Sequence, residues 1–199
     1  MSFLANLSIR TKVVTAFFLV LVATGGLGLF ALDRLHAVND NAAKILVNWL
    51  PAVRDLGKVG TLTEQFRTRS ILPLVAATAE EEADAEKRAA ELKGERDKAW
   101  SAIAQQASSA DEKQFVSEIA ADWAVYIGIY DKAVAALRQG HHDEAAALLE
   151  KDGLAAMTTL RTSTTKFIDY ETDHAFDQGY TGVDIYDASV VWVYGALGV

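Results

Sequence analysis

The chain has 199 residues, 51% of them hydrophobic and 23% charged, with two prolines, no cysteine and a formal net charge of −8. This is the composition of one ordinary folded domain, neither disordered nor collagen-like. Nineteen bases against 27 acids exclude a nucleic-acid surface as the natural reading, since affinity there comes from Lys and Arg neutralising phosphates. Without cysteine there is no disulfide framework, thiolate metal site or cysteine nucleophile.

Charge is unevenly spread along the chain. All 27 acids lie between Asp33 and Asp187, so the first 32 residues, with only Arg10 and Lys12, carry +2 and the remainder −10. Residues 1–12 read as a short N-terminus. Residues 13–32, VVTAFFLVLVATGGLGLFAL, are 20 residues without a charge, enough at about 1.5 Å per residue to span a hydrocarbon core of roughly 30 Å as a transmembrane helix. A cleaved signal peptide is the rival reading, but its apolar region runs to only about 7–15 residues, and here the helical pattern continues past Leu32. The bases before the span place the N-terminus in the cytoplasm and the acidic body outside, with Arg34 and Lys44 diluting the asymmetry.

Residues 33–187 read as an all-α body. Prolines are scarce, no Asn-Gly or Asp-Gly hairpin with flanking alternation occurs, and Ala/Glu/Lys/Leu-rich runs dominate. The first helix continues from the membrane to about Ala77 and carries two stripes. Ile45, Trp49, Ala52, Leu56, Val59, Thr63, Phe66 and Ser70 form one seam; Leu46, Leu50, Val53, Gly57, Gly60, Glu64, Arg67, Ile71 and Leu74 form another beside it. The second stripe is either the edge of one wide buried face or a homodimer contact in which the small Gly57 and Gly60 allow close approach. A second helix, with Ala85, Ala89, Leu92, Ala99 and Ile103 as its inner stripe, precedes an N-capping turn at residues 108–111. The third has the clearest periodicity, with Val116, Ile119, Trp123, Tyr126, Tyr130, Ala133 and Leu137 at spacings of three and four. A turn at Gly140, a short helix capped by Asp143 and an Asp152-Gly153 turn lead into the last helix, which starts near Leu154.

After Asp187 the chain reads ASVVWVYGALGV, 12 uncharged residues that are too few to cross a bilayer. They are expected to be the start of a truncated second span, residues 188–199. With both ends of the body at one membrane, the expected fold is an antiparallel up-down-up-down four-helix bundle continuous with two transmembrane helices.

The basic N-terminus, the first span, NWLPAVRDLG at 48–57, the cluster Arg67/Arg69, GHHDEAAALLE at 140–150 and the second span together resemble the four-helix-bundle sensor domain of bacterial methyl-accepting chemotaxis receptors. The resemblance covers essentially the whole chain. Bundles of this type also precede histidine kinases and cyclic-dinucleotide enzymes, and a membrane-tethered structural bundle is the remaining alternative. The resemblance implies a periplasmic ligand-binding homodimer in the bacterial inner membrane that passes a small helix displacement to a HAMP module and a cytoplasmic signalling hairpin.

Candidate site residues follow from charge on the bundle surface. Arg67 sits in the second stripe, paired either with Glu64 one turn away or with an anionic ligand through a bidentate contact. Arg69 lies about 200° around the helix from it. Arg54 and Arg161 are the next cations, while Thr158, Thr159, Thr162 and Thr165 make the last helix hydroxyl-rich, as a solvated face or as an opposite wall. The expected partner is a small organic acid or amino acid. The arginine spacing differs from that of aspartate-sensing members, so an amino-acid ligand does not carry over.

No cofactor or metal is expected. Asp33-x-x-His36 and Glu171-x-x-His174 mimic the Glu-x-x-His spacing of bundle di-iron sites, but they stand at different levels, about 6 Å and about 21 Å from their spans. His141 and His142 read as a polar turn. No phosphate loop or nucleophile with a recognisable base occurs, so no enzyme is expected.

Overall fold

The computed structural model describes residues 8–197. Residues 1–7 of the expected N-terminus and residues 198–199 of the expected second span lie outside the described residues. The fold is all-α, 94% helical, with no strand among the described residues. Helix α1 (Ile9–Lys44) is capped by Ser8, whose Oγ accepts from the Thr11 N–H at 3.2 Å. It leads through a π-helical turn, Ile45–Trp49, into α2 (Leu50–Ser70). Pro51 has no N–H for the Val47 carbonyl and its ring crowds that oxygen, so the hydrogen-bond ladder widens before α2 resumes.

Three local expectations are corrected. The first helix stops at Ser70 instead of near Ala77, because Pro73 cannot donate to the Arg69 carbonyl and residues Leu72–Val75 tighten into a 3₁₀ turn. The short helix α5 (His142–Ala147) has His141 at its N-cap without a side-chain cap bond, and Asp143 sits within its first turn. Gly140, at φ 81°, completes the reversal after α4, which leaves the chain free to enter α5 one residue before Asp143. Asp152-Gly153 is not a turn at all. Leu148–Gly153 is a π segment that runs straight into α6 (Leu154–Leu197). Gly153 is buried, and a Cβ there would stand 3.7 Å from both Leu149 Cδ2 and Tyr126 Cε2. These are ordinary van der Waals distances, so the widened helix lies against α4 without the packing itself requiring a glycine.

Helix α3 (Ala79–Gln106) begins at Thr78, which accepts from the Glu81 N–H at 3.2 Å, with Glu80, Glu81 and Glu82 in the first turn, where the helix dipole favours carboxylates. Helix α4 (Ala110–Arg138) begins with a full capping box between Ser109 and Glu112.

The described residues belong to two compact units, one from Met1–Val47 with Ala175–Val199 and the other Asn48–His174. In the first, the large apolar side chains between Val13 and Leu32 are mostly exposed. The helical run Ile9–Val75 contains an 18-residue stretch of mean hydropathy 2.3, none of it buried, and is long and apolar enough to cross a membrane. Beyond that stretch α1 meets α6 at small residues, with Ile45 Cδ1 at 3.9 Å from a Cβ placed on Gly179 and Asn41 Cβ at 3.9 Å from one placed on Gly182.

The second unit holds the bundle core. Leu56, Val59 and Phe66 from α2, Ala89, Trp100 and Ile103 from α3, Ile119, Trp123 and Tyr126 from α4, and Met157, Leu160 and Phe167 from α6 form one buried cluster. Phe66 meets Trp123, Tyr126 and Tyr130 edge-on at 5.1–6.0 Å between ring centroids, a favoured aromatic geometry. A second cluster of Ala133, Ala136, Leu137, Ala145 and Leu149 packs α5 and the π segment onto the end of α4.

Candidate functional site

The two stripes of the first helix have different fates. From Leu56 to Ser70 the first seam is buried without exception, whereas Leu50 is 50% and Ile71 40% exposed in the second, and Gly57 is open to solvent. The reading as one wide buried face therefore fails, because α3 and α6 cover only the core-facing arc of α2.

Where this open stripe borders α6, three charged side chains converge. Glu64 Oε1 accepts from Arg161 Nη2 at 2.6 Å and from Arg161 Nε at 3.1 Å, and Glu64 Oε2 lies 3.7 Å from Arg67 Nη1. One carboxylate between two guanidiniums leaves a single positive charge in excess. The side chains of Arg67, Glu64 and Arg161 are 35%, 41% and 60% exposed, so solvent screens the pairs and their net contribution to stability is small. Beside them is a cavity of about 210 Å³ lined by Gly57, Gly60, Thr63, Glu64, Met157, Leu160, Arg161, Thr164, Thr165 and Ile168. Its floor is apolar and its rim polar and charged, and the two glycines keep the α2 side shallow.

The other expected residues are placed elsewhere. Thr158 and Thr162 are exposed and donate to carbonyls of their own helix, Leu154 O at 2.8 Å and Thr158 O at 2.9 Å; they do not line the cavity. Arg69 lines a groove of about 860 Å³ on the α3 side of α2 with Arg88, Glu91 and Glu95 of α3, a groove that reaches Gly60 and Glu64 but neither Arg67 nor Arg161. Arg54 is exposed, and its Nε donates to Oδ1 of its neighbour Asp55 at 2.9 Å, a hydrogen bond that raises its pKa. The structure thus joins Arg67 to Arg161 and separates both from Arg69 and Arg54.

Two charged residues are buried, Arg96 and the Glu171 of the Glu-x-x-His spacing. Arg96, 1% exposed, fills the inner stripe of α3 between Leu92 and Trp100. Its guanidinium carbon lies 4.2 Å from the Trp123 ring centroid and 5.2 Å from that of Trp100. Nε reaches Thr63 Oγ1 at 3.5 Å, Nη1 is 3.6 Å from Asp97 Oδ1, and Nη2 is buried without a partner. Burial, opposed by Asp97, lowers its pKa to about 10, so it remains a cation at neutral pH. The signal was in plain view, a charge four residues after Leu92 on the apolar face. The second group is Glu171 on α6, 4% exposed. Among the described residues no group of three or more His, Cys, Asp or Glu side chains is placed to hold a metal ion.

These features, four helices around one core with a charged rim on an uncovered stripe, define a helical-bundle module. The family model described as a four helix bundle sensory module for signal transduction matches residues 6–180, and the chain belongs to that family, the sensory module of chemotaxis receptors. The family is a signalling module and not a catalytic domain. No curated protein matches the chain.

Proposed function

We propose that the chain is the sensor module of a transmembrane chemoreceptor, and that it binds a small anion, an organic acid or amino acid, at the α2–α6 rim around Arg67 and Arg161. The observation that carries this reading is the shared Glu64, which satisfies two guanidiniums with one carboxylate and leaves room for a second anion beside an apolar cavity. Thr165 at the cavity edge supplies a hydroxyl. The stripe of Leu50, Val53, Gly57, Gly60 and Ile71, exposed at Leu50, Gly57 and Ile71 and half-buried at Val53 and Gly60, is the surface of a homodimer, so the rim lies at the border between subunits and ligand binding is linked to their relative position.

The bundle is antiparallel. Rising numbers on α3 meet falling numbers on α4 (Glu86 with Arg138, Asp97 with Trp123), and the same holds for α4 against α6 (Phe115 with Phe167, Asp122 with Ser163) and α2 against α6 (Trp49 with His174, Glu64 with Arg161). Residues 13–32 cross the inner membrane with the N-terminus in the cytoplasm, the bundle is periplasmic, and α6 carries the signal back toward a second span. The apolarity of the first helix and the family of the module support this placement.

The test is calorimetric titration of the full chain in detergent micelles with small carboxylates and amino acids. Arg67→Ala and Arg161→Ala should each keep wild-type helicity and weaken binding of the responding anion by at least about tenfold, or about 1.4 kcal/mol. Unchanged affinity in both variants would place the site elsewhere, with Arg54 the next residue to examine.

A further inference from the structure

The rim described above is not the only place where charge meets burial. At the other end of the α4–α6 contact, Glu171 is 4% exposed; no hydrogen bond or ion pair holds it among the described residues, and its carboxyl oxygens lie at the edge of the core rather than sealed within it. A carboxylate that has lost most of its water without gaining a cation is costly to ionise, which favours the protonated form. Its surroundings reinforce that outcome. Burial is the largest cause of a raised pKa, the charge of Glu112 on α4 raises it further, and His174 on its own helix lowers it more weakly, for a net push up to about 7. At the same level, residues 48–52 of the π turn and α2, and residues 101–106 of α3, contain no titratable side chain.

Neither neighbour is free to turn away. Glu112 is committed to the α3–α4 connection, where its Oε2 accepts from the Ser109 N–H at 3.1 Å and the Ser108 Oγ at 3.2 Å, in the capping box that starts α4. His174 is stacked on Trp49 at 5.2 Å and lies 4.1 Å from the Tyr170 ring, with Nδ1 2.8 Å from the Tyr170 carbonyl. Its ring thus ties α6 to the turn from which α2 starts.

We propose that Glu171 is a proton-binding site of the module, and that Glu171, Glu112 and His174 together make this end of the bundle respond to ambient pH, with the proton as a second ligand distinct from any anion at Arg67. With the proton on, the carboxyl is neutral and the four helix segments pack closely. With it off, a second negative charge faces the carboxylate that caps α4, so either the cap or the packing of α6 must yield. The sign is fixed by the raised value. A carboxyl whose pKa is higher folded than unfolded costs stability as it ionises, so the loss begins above the ordinary carboxylate range near 4.5, grows until about pH 7 and is constant beyond.

The experiment uses the full chain in detergent micelles with no added ligand, and reads the melting temperature by helicity from pH 4.5 to pH 8. Taking the difference between Glu171→Gln and wild type cancels the titration of the other acids. The variant should equal wild type at the acid end, gain steadily, and stand at least about 3 °C above it from about pH 7 upward. A difference that stays flat with pH overturns the proposal. Should Glu171→Gln fail to fold, wild type labelled with ¹³C at the glutamate carboxyls decides the matter: one carboxyl must titrate near pH 7, and its absence is equally fatal. Glu112→Gln preserves the capping chemistry and should move that titration to lower pH; an unmoved titration would sever Glu112 from the site. None of these readouts depends on an anion, so they stand or fall separately from the binding tests at Arg67 and Arg161.

Discussion

A cation with almost no exposed surface is the least expected residue in the bundle. Arg96 is held by two indole faces, Thr63 and a half-exposed Asp97, yet one of its Nη atoms is left unpaired in the core. Asp97 is doubly engaged, since its Oδ1 also accepts from Trp123 Nε1 and its Oδ2 from Lys93 Nζ, both at 2.8 Å. Removing a buried charge together with its demand for partners is often neutral or stabilising, whereas removing only the counter-charge leaves the ion stranded. Arg96→Met is therefore predicted to change stability by less than about 1 kcal/mol in either direction. Asp97→Ala, which orphans both the guanidinium and the indole N–H, should cost about 2–4 kcal/mol. Urea midpoints of the two variants check this ordering; a larger loss for Arg96→Met would mean the cation organises the core and is not merely tolerated by it.

At the level of elements, glycine illustrates how one substitution changes sign with its setting. Gly140 has φ 81° in the turn after α4, a region that costs an L side chain roughly 1 kcal/mol, so Gly140→Ala should destabilise by about that amount. Gly153 lies within helical backbone, and an added Cβ would meet nothing nearer than Leu148 O at 3.4 Å. Gly153→Ala should therefore stabilise by up to about 1 kcal/mol through helix propensity. Thermal unfolding of the pair side by side is the measurement, and like signs would contradict the backbone account. The capping box is the third such element: Ser109→Ala removes the acceptor that holds the Glu112 N–H at 3.0 Å and should cost about 1 kcal/mol.

At the scale of the whole molecule, the exposed stripe on α2 and the first span generate two further expectations. Leu50→Lys and Val53→Lys place charges on the proposed dimer surface, where an unpaired buried cation is costly. Chemical crosslinking of the chain in micelles should show dimer in the wild type and little in either variant, with helicity unchanged; equal crosslinking would remove this surface from consideration. For topology, alkaline phosphatase fused after Leu137 should be active in bacteria, as expected if the acidic body lies beyond the membrane. An inactive fusion would reverse the orientation.

Most of the architecture was legible in the amino-acid sequence because it rests on periodicity and charge, which are local. The seams of α2 and α4, the helical class, the 20-residue apolar run and the reversal at Gly140 all follow from which residue types recur at which spacing. Pro51 and Pro73 carried a further message, that the first helix is interrupted twice. The fates of Asp143 and of Gly153 were not legible, because where a helix begins and whether a glycine turns or widens it depend on what packs alongside. The same limit applies to the charged groups. Glu64 could be paired with Arg67 from their spacing, but its bond to Arg161 spans 97 positions, and nothing local connects the two. Arg96 could be placed on the apolar stripe of α3 from its spacing, whereas Glu171 has ordinary sequence surroundings. Their burial, and with it the lowered pKa of one and the raised pKa of the other, is decided only when α2, α3, α4 and α6 close around them, because desolvation is a property of the assembled core.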